Sequence, residues 1–245
     1  MVKLMNNYKK NTDPLEFLIS KYKFDIEKIE TISSGLKYSA VLLKNGNIGV
    51  CANLGHKVNT DKKIYLKYDL KNFSHRIVLN AYLNSLLNYS NNFQNSADIF
   101  DVVDFRKYKQ IVMLGFFKPI LKKFDHAGIP IKIFDLSKKD IALTPLSEQK
   151  PILKSADAII LTSTSIFNLS FINSIDSTND NCEIFLLGPS SIMTKEVFNY
   201  KNIKMIFGST FEKFDHRILK IINNDGGTKD FLKLGKKCIL KKNEK

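Results

Sequence analysis

Four stretches of this chain carry the side chains best suited to holding a ligand. Thr162-Ser163-Thr164-Ser165 and then Asn168 crowd hydroxyls and an amide directly behind the apolar run 158–161. Gly188-Pro189-Ser190-Ser191 follows a second apolar run, 184–187, in the same way. Gly115-Phe116-Phe117-Lys118-Pro119 closes a third run that starts at Gln110, and Asp135 stands near the end of a fourth, 131–136. Hydroxyls, side-chain amides and the free N–H groups of a helix start hold carboxylates, phosphates or metal-bound water. The plainer reading of each group is a helix cap or a tight turn, and only their density favours a site.

Other chemistry is poorly supported. No histidine or acid lies near Ser190 or Ser191, which argues against a Ser–His–Asp arrangement. His56, His75, His126 and His216 are isolated, and no HxxH, HxxxH or CxxC spacing occurs, so no zinc site can be read. Cys51 and His56 are near enough to form a ligand pair, but a packed thiol is the simpler account. Asp135 falls twenty residues after Gly115, where an acid bonds ribose in a nucleotide-binding βαβ unit. The glycine fingerprint is missing, however, and Phe117 and Pro119 occupy the space of a pyrophosphate.

These groups need a sheet to bring them together. Short apolar runs without alternation read as strands buried on both faces, and 158–161 and 184–187 flank a segment, 166–175, able to form a helix. That is a βαβ unit whose polar ends meet at one edge of a parallel sheet, where ligands of open α/β sheets sit. Strand and helix alternate from Gln110 onward: helices at 119–127, 193–199 and 214–223, a strand at 205–208, and an edge strand within 233–240. The first hundred residues differ. They predict a helix over 13–22, a hairpin of 35–43 and 47–52 about Asn45-Gly46, a strand or loop over 64–70, and a helix over 73–89 with Ser74 as its cap. The polar stretch 88–96 marks the boundary, giving domains 1–95 and 96–245. The expected fold class is an α+β domain followed by an α/β doubly wound parallel sheet.

Composition narrows the partners. No apolar stretch approaches the length of a membrane span, residues 1–13 lack the apolar core of a signal peptide, and three widely spaced cysteines fit a reducing compartment, so we expect a cytoplasmic protein without a membrane partner. The net charge of +14 raises nucleic-acid binding as an alternative. Only Arg76, Arg106 and Arg217 are arginines among 38 basic residues, and the lysines are scattered in pairs, which suits solvated faces better than a binding stripe.

The ordered set GLKYSAVLL, GNIGVCA, AYLNS (81–85), IVMLGFFKP (111–119), IKIFDL, ADAIILTSTSIFN and LLGPSS resembles the family described as putative heavy-metal chelation proteins. The resemblance implies an enolase-N-terminal-like domain followed by a Rossmann-like domain, with a site in the cleft between them. It places Tyr38, Ser39, Asn84, Gly115, Phe117, Pro119, Thr162, Asn168, Gly188, Pro189 and Ser190 on the family's motif positions. Asp135 stands where the family usually has Glu, and Ser163 where it usually has Gly. The expected function is therefore binding of a small anionic ligand or metal chelate in that cleft. A nucleotide- or S-adenosylmethionine-dependent enzyme is the alternative. A divalent metal or an adenine nucleotide is the candidate cofactor, and a homo-oligomer the candidate assembly.

Overall fold

A computed structural model of the chain describes residues 12–89, 94–95, 98–135 and 143–242. The first unit contains helix α1 (Pro14–Tyr22), strands β1 (Ile29–Ser34), β2 (Tyr38–Leu43) and β3 (Ile48–Ala52), and helix α2 (Phe73–Leu87). Asp13 caps α1 through its side chain, which accepts from the Glu16 amide at 2.9 Å, and Pro14 suits the first turn. The three strands form an antiparallel sheet in the order β1-β2-β3, with Asn45-Gly46 at the hairpin turn. Segment 64–70 is not a strand; residues Lys62–Lys67 form a 3-10 helix that buries Tyr65. The cap of α2 is Asn72 rather than Ser74, because the Asn72 carboxamide oxygen takes the Ser74 amide at 2.9 Å.

The second unit contains α3 (Ile99–Val102), β5 (Ile111–Leu114), α4 (Lys118–His126), β6 (Lys132–Phe134), α5 (Gln149–Ser155), β7 (Ala158–Thr162), α6 (Phe171–Asp176), β8 (Glu183–Leu187), β9 (Ile203–Phe211), α7 (His216–Asn223), α8 (Thr228–Phe231) and β10 (Gly235–Lys241). With the two-residue strand β4 (Gln94–Asn95) they make a sheet in the order β4-β10-β9-β8-β7-β5-β6. Strands β5 to β9 are parallel, and β10 is antiparallel to β9. Three sequence expectations shift here. Residues 94–95, assigned to the first domain, pair with β10 of this sheet, so β10 is not the edge. Helix α6 starts at Phe171 because Leu169 turns left-handed (φ +65°) and the Asn168 side chain takes the Ser170 amide. Residues Lys195–Asn199 form a 3-10 helix, not an α-helix.

Strand alternation decides which helix covers which face. Met113, Ile160 and Phe185 pack with Ile120 and Phe124 of α4 on one side. Val112, Ile159 and Ile184 pack with Leu153 of α5 and Phe171 and Ile175 of α6 on the other. The latter core continues without a break into the first unit, through Leu15, Val41, Ile77 and Leu83. The far face of the antiparallel sheet, Ala40, Leu42, Ile48 and Val50, is covered by Ile218, Leu219 and Ile222 of α7. The two units therefore interlock: α2 lies on one face of the small sheet and a helix of the second unit on its other. A first unit that opens as a lid would have to break both layers.

A polar clasp ties α1 to the second unit. Lys21 Nζ and the Thr194 hydroxyl both donate to the Glu196 carboxylate, and the Tyr200 hydroxyl donates to the Thr12 carbonyl at 3.0 Å. Burial by itself would raise the Glu196 carboxyl, but the bonds from Lys21 and Thr194 hold it down at about 2. A carboxylate whose pKa is lowered by folding stabilises the fold above its ordinary value of 4.5 and loses that contribution as pH falls from there toward 2. We expect Glu196→Gln to lower stability at neutral pH and to flatten the acid limb of a urea-unfolding pH series. An acid limb of unchanged slope would remove Glu196 from this role.

Candidate functional site

The parallel strands run in the order β6-β5-β7-β8-β9, so the chain switches direction between β5 and β7, and their carboxyl ends frame a crevice. Gly115 follows β5 with φ +100°, a region that disfavours a side chain, and a Cβ there would stand 2.9 Å from Thr162 Cβ. Its amide is committed to the Phe134 carbonyl at 2.8 Å. Helix α4 opens three residues later at Lys118, with no side chain capping it. In its first turn Pro119 has no N–H and those of Ile120 and Leu121 donate to the Phe117 carbonyl, so the helix brings the Lys118 amide and the positive end of its dipole to this edge. The Thr162 and Thr164 hydroxyls lie 3.0 Å apart, both half-buried. Gly188, after β8, has φ +137°; a Cβ there would stand 3.6 Å from Ser163 Oγ and 4.0 Å from Phe117 Cε1. The Phe117 ring thus reaches from the end of β5 across to the end of β8. Phe134 pairs with Leu114, which sets Asp135 level with Gly115. The structure brings Gly115, Phe117, Asp135, Thr162 and Gly188 to one rim, while Ser163 is buried there with its hydroxyl on Ser191.

The remaining candidates are bound into the seam between the units. Pro189 accepts from Asn84 Nδ2 at 2.9 Å through its carbonyl. Ser190 Oγ accepts from the Ala52 amide at 3.0 Å, and its carbonyl accepts from Asn80 Nδ2 at 2.9 Å. Asn84 also donates to the Ser191 carbonyl at 3.0 Å. Ser191 Oγ contacts Ser163 Oγ and donates to the Phe207 carbonyl at 2.7 Å. Asn168 closes the turn before α6. Ser39 Oγ donates to Asn53 Oδ1 at 2.8 Å inside the first unit. The Tyr38 hydroxyl meets Thr228 Oγ1 at 2.8 Å with its ring against Phe231, on the α7 side of the small sheet.

Sequence reasoning missed the rest of this seam. Asn80, Asn84 and Asn88 recur every fourth residue, so they form one stripe along α2. Asn88 accepts from the Met193 amide at 2.8 Å and donates to the Ser191 carbonyl at 3.0 Å. The stripe grips the backbone after β8 from Pro189 to Met193. Its four-residue spacing was legible, but α2 is buried on nearly every side, and only the tertiary structure shows which side faces what.

A model of the DUF364 family, described as "Putative heavy-metal chelation", matches residues 98–241. The chain belongs to this family. Among solved structures it is similar to a DUF364 protein of unknown function from Pyrococcus horikoshii, with a TM-score of 0.75 and 17% identity over 93% of this chain and 100% of that one. A DUF364 protein of unknown function from Desulfitobacterium hafniense gives a TM-score of 0.72 and 18% identity over 93% and 96%. No curated protein matches. At such identities the DUF364 structures establish a shared fold.

The donors for a metal can be tested against the family's description. Among the described residues no three His, Cys, Asp or Glu side chains gather as an ion would require. Cys51, Cys182 and Cys238 are all buried and unpaired with one another. Burial drives the Cys51 thiol far above its ordinary range and pushes Cys182 up to about 12, which disfavours the thiolate that binds metal. The described side chains of this DUF364 member do not fit a bare ion. No helix among the described residues is long and apolar enough to cross a membrane.

Proposed function

We propose that this DUF364 protein binds a small anionic ligand, free or as a preformed metal chelate, at the crevice between the ends of β5 and β7. The observation that carries this reading is the uncapped start of α4 beside the Thr162 and Thr164 hydroxyls. The Lys118 amide and ammonium, the helix dipole and two hydroxyls match an oxyanion or carboxylate. Any metal would arrive inside a chelate that supplies its own donors, since the described residues offer no cluster of them. The strand order supports a Rossmann-like second unit, and the helix, hairpin sheet and long helix support an enolase-N-terminal-like first unit. The first unit's part is to fix the Gly188–Ser191 backbone through Asn80, Asn84 and Asn88, rather than to contact ligand through Tyr38 or Ser39.

Thermal unfolding with inorganic phosphate, citrate, citrate plus a divalent cation, the cation alone, and ADP tests this. A ligand at a hundredfold excess over its Kd adds about 2.7 kcal/mol, or roughly 5–10 °C for a chain of this size. We expect an anion or chelate to give such a shift, the bare cation none, and Lys118→Glu to abolish it. A shift with the cation alone, or none with any anion, would overturn the proposal. A nucleotide is the second reading, favoured by Asp135 standing level with Gly115. ADP would then be the stabilising anion, and Asp135→Ala would remove its effect but not that of phosphate.

A further inference from the structure

A second surface of the molecule lies apart from the sheet edge. Residues Lys62–Lys67 form a 3-10 helix, in which side chains three apart stack in columns. The column of Lys62 and Tyr65 faces inward: Tyr65 is fully buried, and Lys62 donates to the Ile29 carbonyl at 3.0 Å. The other two columns face solvent, one holding Lys63 and Leu66, the other Ile64 and Lys67. Leu66 is 64% exposed and Ile64 39% exposed, and Tyr68 beside them is 37% exposed with its ring edge against Phe24. Each outward column thus presents one aliphatic side chain and one ammonium. Between Lys57 and Lys71 the chain carries five lysines against two aspartates. Asp61 and Asp69 are turned to backbone amides, taking those of Lys63 at 3.0 Å and Lys71 at 2.8 Å.

We infer that this ledge docks the protein reversibly on an anionic lipid surface. Charge complementarity selects the occupant: Lys57, Lys63, Lys67 and Lys71 are exposed on the same segment as the apolar side chains, and anionic headgroups attract such a run of positive charge. Leu66 and Ile64 are exposed and so available to a headgroup layer, while the long lysine stems let the ammonium groups stay at its level. Tyr68 has the amphipathic ring that settles at such an interface. This departs from the sequence expectation of no membrane partner, which rested on the lack of a spanning stretch; docking requires none, and the inference is independent of what the β5–β7 crevice binds.

Co-sedimentation of the full chain with vesicles tests it. Partition is expected onto phosphatidylcholine vesicles containing about one-third phosphatidylserine and not onto phosphatidylcholine alone, weakening as salt is raised. Ile64→Ser with Leu66→Ser should lower it roughly tenfold, as should Lys63→Glu with Lys67→Glu. Because these side chains are exposed, the variants should keep the parent's thermal midpoint. Lys241→Glu with Lys242→Glu, the same charge change at the chain's other end, should leave partition unchanged. The inference is overturned by absence of partition, by partition that the serine pair leaves intact, or by equal loss in the Lys241/Lys242 control. Binding to polyglutamate but not to vesicles overturns it as well, and assigns the ledge to an acidic protein.

Discussion

Replacing Arg76 by Met is expected to cost about 3–5 kcal/mol, because it breaks a buried ion pair and strands its acceptors. Arg76 is only 1% exposed and the largest of the fully buried side chains. Its guanidinium donates to Asp13 Oδ2 at 2.8 Å, to the Ile166 carbonyl at 2.8 Å, to the Phe167 carbonyl and to the Leu70 carbonyl at 3.3 Å. One side chain on α2 therefore joins the cap of α1 to the loop that carries Thr164 and Asn168. Met fills much of the volume but supplies no donor, leaving three carbonyls and a carboxylate without it. At roughly 2–4 °C per kcal/mol for a chain of this size, the thermal midpoint should fall by about 10 °C. Arg76→Lys should recover only part of this, since one ammonium cannot reproduce a planar fork that serves four oxygens. A loss below about 1 kcal/mol for Arg76→Met in urea unfolding would show that the acceptors find other partners.

Gly49→Ala should be at least as damaging. A Cβ at Gly49 would stand 2.0 Å from the Ala81 carbonyl oxygen and 2.3 Å from the Ser85 amide nitrogen. Both atoms belong to the backbone of α2, so no side chain can rotate away. Helix α2 cannot retreat as a body, because an adjacent side of it is tied to the second unit through Asn80, Asn84 and Asn88. Overpacking commonly costs 1–3 kcal/mol; here a single methyl must displace a buried helix, and we expect about 3–5 kcal/mol or an insoluble product. Gly227→Ala is the control: its new Cβ meets nothing nearer than Lys37 Cδ at 3.6 Å, and its cost should stay within about 1 kcal/mol. Equal stability of the two variants would mean that β3 and α2 separate more readily than their contact distances imply.

Both changes bear on the candidate site without touching it. Asn84 and Asn88 hold the backbone that follows Gly188, and Arg76 holds the backbone that follows Thr164. Helix α2 therefore sets the two outer walls of the crevice, although no residue of the first unit is among those gathered at its rim.

The sequence alone determined the parallel sheet and the edge at which its polar residues collect. Buried strands such as 158–161 and 184–187 lack alternation and end abruptly in Thr, Ser and Gly, and those local signals survive whatever packs around them. It determined the hairpin at Asn45-Gly46 for the same reason: turn chemistry is local. Tertiary structure decided which polar residues remain at the rim. Asn84 and Ser190 have the chemistry of ligand-binding groups, and nothing in their own neighbourhoods says that a carbonyl or an amide from the other unit already occupies them. It also decided that the units interlock, since Ala40 and Leu42 do not encode that α7, nearly two hundred residues away, covers them. Hydrogen-bond satisfaction and face coverage depend on partners distant in the chain, and no window of sequence contains them.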